Sequence, residues 1–306
     1  MEDESVAPIE KAIDEIRIYD ISKERAMADS NVSGSRLPRE IVEHYHNTDE
    51  AQRLSIGSGQ LELARTQELV ERYIPPAPAV IVDVGGGPGA YACWLARLGY
   101  EVHLIDAVAL HVEQARQASQ NQPAHPVASL AAGDARQLDR PDASADAVLM
   151  FGPLYHLTDR VDRVRALGEA HRILRPGGLV LAAAISRFAS LLDGLVQRFL
   201  DDPEFVRIVQ RDLTDGQHRN TTGRPLYFTT AFFHRPEELR AEIEESGLVC
   251  ERTIPIEGAA WLLQDFSERW RDPDQRERML AAIRWLENEP SVLGVSAHIM
   301  VVARKV

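Results

Sequence analysis

The chain has 306 residues, 44% of them hydrophobic and 26% charged, with 34 Lys+Arg against 47 Asp+Glu and a formal net charge of −13. That length suits one enlarged α/β domain or a core with a cap, and the acidic balance argues against a nucleic-acid partner. No apolar run reaches the roughly 20 residues needed to cross a bilayer, and Met1-Glu2-Asp3-Glu4 is acidic where a secretory leader is basic, which implies a cytoplasmic protein with no membrane partner.

Helical spacing dominates residues 1–75: Ile9, Ile13, Ile16 and Tyr19 mark one apolar face, and Leu61, Ala64, Leu69 and Tyr73 another. Pro75-Pro76-Ala77-Pro78 stops the second helix. Residues 76–306 then alternate between strand and helix signals. Short apolar runs predict strands over 79–84, 101–105, 127–132, 145–151, 179–185, 248–256 and 295–303, with helices between most of them, the pattern of a doubly wound α/β core. The regular alternation lapses over 187–235. That stretch carries Phe188, Leu191, Leu192, Leu195, Phe199, Phe205 and Ile208, enough apolar surface for a helical lid bearing substrate contacts. Cys93 and Cys250 stand alone, so neither a disulfide framework nor a zinc site is indicated.

The chemistry concentrates at Asp83-Val84-Gly85-Gly86-Gly87-Pro88-Gly89, where the first predicted strand hands over to a helix. Glycines there admit a ligand that side chains would block. Gly85, Gly87 and Ala90 also satisfy G-x-G-x-x-A, so a dinucleotide site stays open at this point. Asp106 ends the second strand, where a carboxylate can accept from a ribose hydroxyl pair, a feature common to nicotinamide and adenosyl ligands. Asp83 at the strand tip would oppose a pyrophosphate, and suits a ligand bearing an ammonium and a sulfonium.

The run from Asp83 to Gly89 resembles the first motif of class I S-adenosylmethionine-dependent methyltransferases, and Asp106 matches their acidic end of strand two. Gly133-Asp134-Ala135 resembles the adenine-contacting segment, 146–152 the fourth strand with its exit loop, and Arg175-Pro176-Gly177-Gly178-Leu179 the turn into strand five. The resemblance implies a mostly parallel seven-stranded sheet with a reversed last strand, N-terminal helices over the cofactor site, and a helical insert between strands five and six. It also implies roles. Asp83 and the backbone of Gly85, Gly87 and Gly89 face the methionine portion, Asp106 the ribose, and Gly133, Asp134 and Ala135 the adenine. Phe151 borders the transferable methyl. The cofactor is S-adenosyl-L-methionine and the product S-adenosyl-L-homocysteine. Residues 43–47 and 61–66 resemble the leading helices of a bacterial small-molecule branch, which would bring Tyr45 and Arg65 over the cofactor, Arg65 pairing its carboxylate.

Methyl transfer needs a positioned acceptor and, for a hydroxyl or ammonium, somewhere for the proton to go. Tyr155 and His156 leave the fourth strand at the mouth of the expected pocket and are the candidate catalytic and substrate-contacting pair, with His156 as a base. The insert offers His218, Tyr227, Phe228 and His234, of which Tyr227 and His234 are the candidate substrate contacts. No metal is expected, because no set of acids accompanies the segment after Met150, and His298 reads as a core or edge residue. The expected partner is a small-molecule acceptor, and a homodimer is compatible with the chain. Two other readings stay open: a nicotinamide-dependent oxidoreductase, and a non-catalytic protein that binds S-adenosylmethionine.

Overall fold

The computed structural model describes residues 37–306, so the helical face read at Ile9, Ile13, Ile16 and Tyr19 lies outside the described residues. Three helices come first: α1 (Arg39–Asn47), α2 (Glu50–Arg53) and α3 (Gly59–Tyr73). α3 buries Leu61, Leu69 and Val70 along one stripe, and the chain leaves it at Ile74, just before the prolines that cannot continue a helix.

The strands are β1 (Val80–Val84), β2 (Glu101–Asp106), β3 (Ser129–Ala132), β4 (Ala145–Met150), β5 (Leu174–Ile185), β6 (Gln217–His218), β7 (Ala231–Phe232), β8 (Val249–Pro255) and β9 (His298–Arg304). β6 and β7 form a small separate pair. The other seven make one sheet in the order β3-β2-β1-β4-β5-β9-β8. Pairings from β3 through β5 are parallel, and β9 runs antiparallel to both β5 and β8, so the reversed strand is the expected one. β5 starts earlier than its apolar run. Lys305 exchanges backbone hydrogen bonds with Gly177 and Gly178, which draws the expected Arg175-Pro176-Gly177-Gly178 turn into the ladder.

The connecting helices are α4 (Ala90–Arg97), α5 (Ala109–Gln120), α6 (Pro153–His156), α7 (Arg160–Ile173), α8 (Ala189–Gln197), α9 (Pro203–Asp215), α10 (Pro236–Glu245), α11 (Phe266–Arg271) and α12 (Pro273–Leu286). Side chains alternate across each strand, so the sheet has two buried faces. Ile81, Leu104, Leu149 and Leu181 pack with Leu69 of α3, Leu95 of α4 and Ala115 of α5. Val82, Val148 and Val180 face the other way, against Ala166 and Leu167 of α7 and Leu239 of α10. The period of two puts Asp83 on the same face as Ile81, and Phe151 on the same face as Leu149. Both therefore point toward α3 and α4.

The 187–235 insert carries its α-helices before residue 216 and only one short 3-10 turn, Pro225–Tyr227, after it. α8 and α9 share a satellite core of Phe205, Ile208, Val209 and Tyr227, and the chain then turns through β6 and β7. A second excursion between β8 and β9 packs Phe266, Trp270, Met279 and Ile283 against Leu61 of α3. Burying such side chains contributes roughly 1.5–3 kcal/mol each, which anchors α3 over the sheet.

Candidate cofactor and acceptor site

Where β1 ends, the backbone turns sharply through glycines with positive φ, 71° at Gly85 and 54° at Gly87. A Cβ at Gly85 would meet the Pro153 ring at 2.6 Å, and one at Gly86 would meet Asp83 Oδ2 at 2.6 Å, so side chains are excluded there. The Gly85 amide donates to the Ile105 carbonyl at 2.7 Å and the Gly87 amide to Asp106 Oδ2 at 2.8 Å, which fixes the turn to the end of β2. A cleft of about 540 Å³, open to solvent, lies along this turn.

Asp83 lines the cleft yet is only 1% exposed, and its Oδ2 has no hydrogen-bond partner. Burial, reinforced by the charge of Asp106, pushes its carboxyl up to about 7. An unsatisfied buried acceptor is costly and calls for a donor from outside the chain. A ligand ammonium meets that need. A pyrophosphate would add a second anion beside it, so the dinucleotide reading of the glycine turn loses its fit here.

The helices before the sheet close the cleft from above. Arg53 ends α2 and lines it together with Glu50 and Glu62. The guanidinium takes Glu50 Oε1 at 2.7 Å and both oxygens of Glu62, at 2.5 and 3.0 Å. Behind Glu62 stand Glu257 and His298, with His298 Nδ1 2.6 Å from Glu257 and 3.9 Å from Glu62. Burial alone would lower the His298 pKa, but the two carboxylates overcome it and hold the imidazole up at about 9. Glu62, Glu257 and His298 have the composition of a metal-ligand group. Their atoms are already engaged by Arg53, the Ser296 hydroxyl and the His298 amide, which makes the cluster a closed ion-pair network.

Arg65 does not reach the cleft. It is fully buried one turn further along α3, paired with Glu68 at 2.7 Å and Glu287 at 2.9 Å, and it donates to the Ile256 carbonyl. The arginine that lines the cleft is Arg53, which the sequence did not single out; its signal is the Glu50-x-x-Arg53 pair just before α3.

At the other end of the cleft, Phe151 and Tyr155 line the wall, and Tyr91 stacks edge-on with Phe151 at 5.2 Å. His156 is turned away behind Tyr155, its Nε2 hydrogen-bonded to the Tyr45 hydroxyl at 2.6 Å. Burial drives the His156 pKa down to about 4, so the ring is neutral near pH 7. Tyr45 itself packs edge-on against His111, whose Nδ1 is 3.3 Å from Asp106. Thus Tyr45 braces the acceptor wall and the end of β2 at once, without lining the cleft.

Gly133 follows β3 and its amide donates to the Asp106 carbonyl at 2.9 Å, while Ala135 is buried under this segment. Burial pushes the Asp134 carboxyl up, but hydrogen bonds from Arg136, at 2.6 Å to Oδ2, outweigh it and hold the group ionised. Gly89 caps α4 with φ 89°. The insert residues His218, Tyr227 and His234 do not line the cleft. Tyr227 bonds Asp202 at 2.9 Å within the satellite core, and His234 is fully buried against Glu242 at 3.2 Å, beside Arg163. Phe228, next to Tyr227, packs beside Tyr155 and His44, with ring centroids 6.4 and 5.3 Å away, and does not line the cleft.

Residues 82–182, from β1 through most of β5, match the model of a methyltransferase domain. Methyltransferase GfsG of Streptomyces halstedii is 33% identical over 121 residues, covering 39% of this chain and 42% of that protein. A ubiquinone biosynthesis O-methyltransferase of Methylocella silvestris is 35% identical over 119 residues, covering 38% and 44%. The chain thus spans less than half the length of these relatives. A solved S-adenosylmethionine-dependent methyltransferase of Methanosarcina mazei superposes with a TM-score of 0.54 at 16% identity, over 78% of this chain and 97% of its own, a likeness of fold. With the glycine turn, the unsatisfied Asp83 and the reversed β9 in place, the chain carries a class I, S-adenosylmethionine-dependent methyltransferase domain.

Proposed function

We propose that this chain transfers a methyl group from S-adenosylmethionine to an oxygen or nitrogen atom of a small-molecule acceptor. The observation that carries the reading is the buried, partnerless Oδ2 of Asp83 at the glycine turn, which a ligand ammonium would satisfy. When bound, the cofactor supplies an electrophilic methyl on a sulfonium and departs as S-adenosylhomocysteine.

The chain's own groups bind, orient and exclude water. Asp83 pairs the ammonium, Arg53 the carboxylate, and Asp106, already bracing Gly87, takes the ribose hydroxyls. Phe151 and Tyr155 form the wall against which the acceptor is held with its lone pair roughly 3 Å from the reacting carbon, and such positioning supplies much of the acceleration. Tyr155 is the residue that touches the acceptor, and the hydrogen-bonded Tyr45 and His156 position it from behind. The net charge of −13 supports a small acceptor over nucleic acid. Among the described residues no helix is long and apolar enough to cross a membrane.

Calorimetric titration of the wild type and Asp83→Asn with S-adenosylmethionine and, separately, with NADH tests the reading. Binding of S-adenosylmethionine to the wild type, at least tenfold weaker in the variant, is expected. Binding of NADH alone would transfer the site to the nicotinamide alternative, and binding of neither would overturn the cofactor reading, together with the non-catalytic S-adenosylmethionine-binding one.

A further inference from the structure

β9 opens at His298, and the chain just before and at that residue is stitched to the loop that follows β8. The Ile256 amide donates to the His298 carbonyl at 3.0 Å, and the Ser296 hydroxyl oxygen accepts the Glu257 amide at 2.9 Å. Glu257 Oε2 in turn accepts the Ser296 hydroxyl at 2.7 Å and the His298 amide at 2.9 Å. Its Oε1 is left for the imidazole, and His298 Nδ1 meets it at 2.6 Å. Three donors thus fix a carboxylate that is 2% exposed, and a carboxylate so held favours the charged form of the ring.

On its other side the same ring faces the cofactor cleft through one intermediary. Glu62 lies 3.9 Å from Nδ1, lines the cleft and takes Arg53 with both oxygens, while Glu50 takes the same guanidinium. The charged groups around the imidazole are therefore Glu257 after β8, Glu62 on α3 and Arg53 on α2. Glu50, Glu62 and Glu257 stand as three carboxylates against two cations, Arg53 and His298. A ligand carboxylate at Arg53 adds a fourth anion. Without the imidazolium, Arg53 alone would balance all four, in surroundings where Glu62 and Glu257 are too buried for solvent to screen them well. With it, Glu62 and Glu257 share a second cation. The ring stays charged at neutral pH because the two carboxylates outweigh its burial.

We propose that His298 is a positioning residue of the cofactor site, whose positive charge, acting through Glu62, keeps Arg53 available to the carboxylate of S-adenosylmethionine. This rests on the methyltransferase reading of the cleft, with Arg53 as the partner of that carboxylate. His298 does not line the cleft, so it acts through charge and not through contact with the ligand.

The test titrates the whole chain by calorimetry at pH 7 with S-adenosylmethionine and with decarboxylated S-adenosylmethionine, which keeps the sulfonium and an ammonium and lacks the carboxylate. The ratio of the two affinities isolates the carboxylate, and the wild type is expected to favour S-adenosylmethionine by about tenfold or more. His298→Gln should cut that ratio by about fivefold or more, with decarboxylated ligand bound within about twofold of wild type, and His298→Lys should restore it. Glu257→Gln removes an anion from the same network and should raise the ratio by about twofold or more. Loosened packing would instead weaken both ligands together, or move both variants the same way. An unchanged ratio in His298→Gln, no recovery in His298→Lys, or a ratio that does not rise in Glu257→Gln would each overturn the proposal. Glu257→Gln decides by itself should His298→Gln fail to fold. A wild type that binds the two ligands equally would overturn Arg53 as the partner of the carboxylate, and one that binds neither would overturn the cofactor reading beneath both.

Discussion

Asp106 Oδ2 accepts the Gly87 amide at 2.8 Å while Oδ1 accepts the Val108 amide at 2.8 Å, so one carboxylate holds the glycine turn and the start of α5 together. Removing it loosens the shape of the cofactor cradle as well as any ribose contact. Asp106→Ala is expected to weaken S-adenosylmethionine binding by at least a hundredfold and to lower stability by about 1–3 kcal/mol, the penalty for buried donors left unsatisfied. Calorimetry and denaturant titration check the two effects. A variant with wild-type stability would show that the amides find other partners.

Asp83 titrates near 7 in the free protein because burial and Asp106 both disfavour its charge. The folded pKa is raised above the unfolded value of 3.8, so the folded chain holds more protons and stability falls as pH rises from about 4 through 7. Pairing with an ammonium favours the ionised form and returns the pKa downward. Binding of S-adenosylmethionine should therefore release close to one proton at pH 6 and about half a proton at pH 7, seen as a buffer-dependent enthalpy in calorimetry. Asp83→Asn should abolish the release and raise the melting temperature of the free protein above pH 7. An enthalpy independent of buffer would count against this role.

Arg53 and Arg65 make opposite predictions. Arg53→Met leaves Glu50 and Glu62 unpaired at the cleft and should weaken S-adenosylmethionine at least tenfold. Arg65→Met breaks buried pairs with Glu68 and Glu287, and should cost roughly 3 kcal/mol of stability with little change in affinity. Reversal of the two phenotypes in paired binding and unfolding measurements would return Arg65 to the cofactor.

His298 is held at about 9 by Glu257 and Glu62. Its folded pKa lies above the unfolded 6.5, so its contribution is complete below pH 6.5 and disappears as pH rises through 9. With the side chain one-fifth exposed, about 2 kcal/mol should be lost across that window. Unfolding of the wild type and His298→Gln at pH 6 and 9.5 measures it. Equal pH dependence in both would reject the assignment.

Much of the fold was legible because buried parallel strands are short unbroken apolar runs, and 79–84 and 145–151 read that way without ambiguity. Asp83, Gly85 and Gly87 were legible for a related reason: a strand tip followed by glycines constrains a local backbone. Contacts between distant segments carry no such local signature. Whether Arg65 turns to the cleft depends on how α3 rolls on the sheet, and α3 is seated there through Leu61 on Phe266 and Trp270, some two hundred positions away. Tyr227 and Phe228 are neighbours of similar type, and the positive φ of Phe228 sends one ring into the satellite core and the other toward Tyr155 and His156. His234 looked like a site residue because histidines so often are, yet its partner Glu242 sits two turns along the next helix.

The seating of β9 between β5 and β8 has a consequence for how the chain is made. During synthesis, β5 emerges with one edge bare, and β8 arrives without a neighbour to pair with. Both wait until residues 298–304 leave the ribosome and slide between them, closing pairings of long sequence separation that form slowly. Until then the apolar run 179–185 is an open sheet edge, the kind of surface that recruits chaperones or other nascent chains. Yield in a cell should therefore respond to anything that delays β9, even where the finished protein's stability is unchanged.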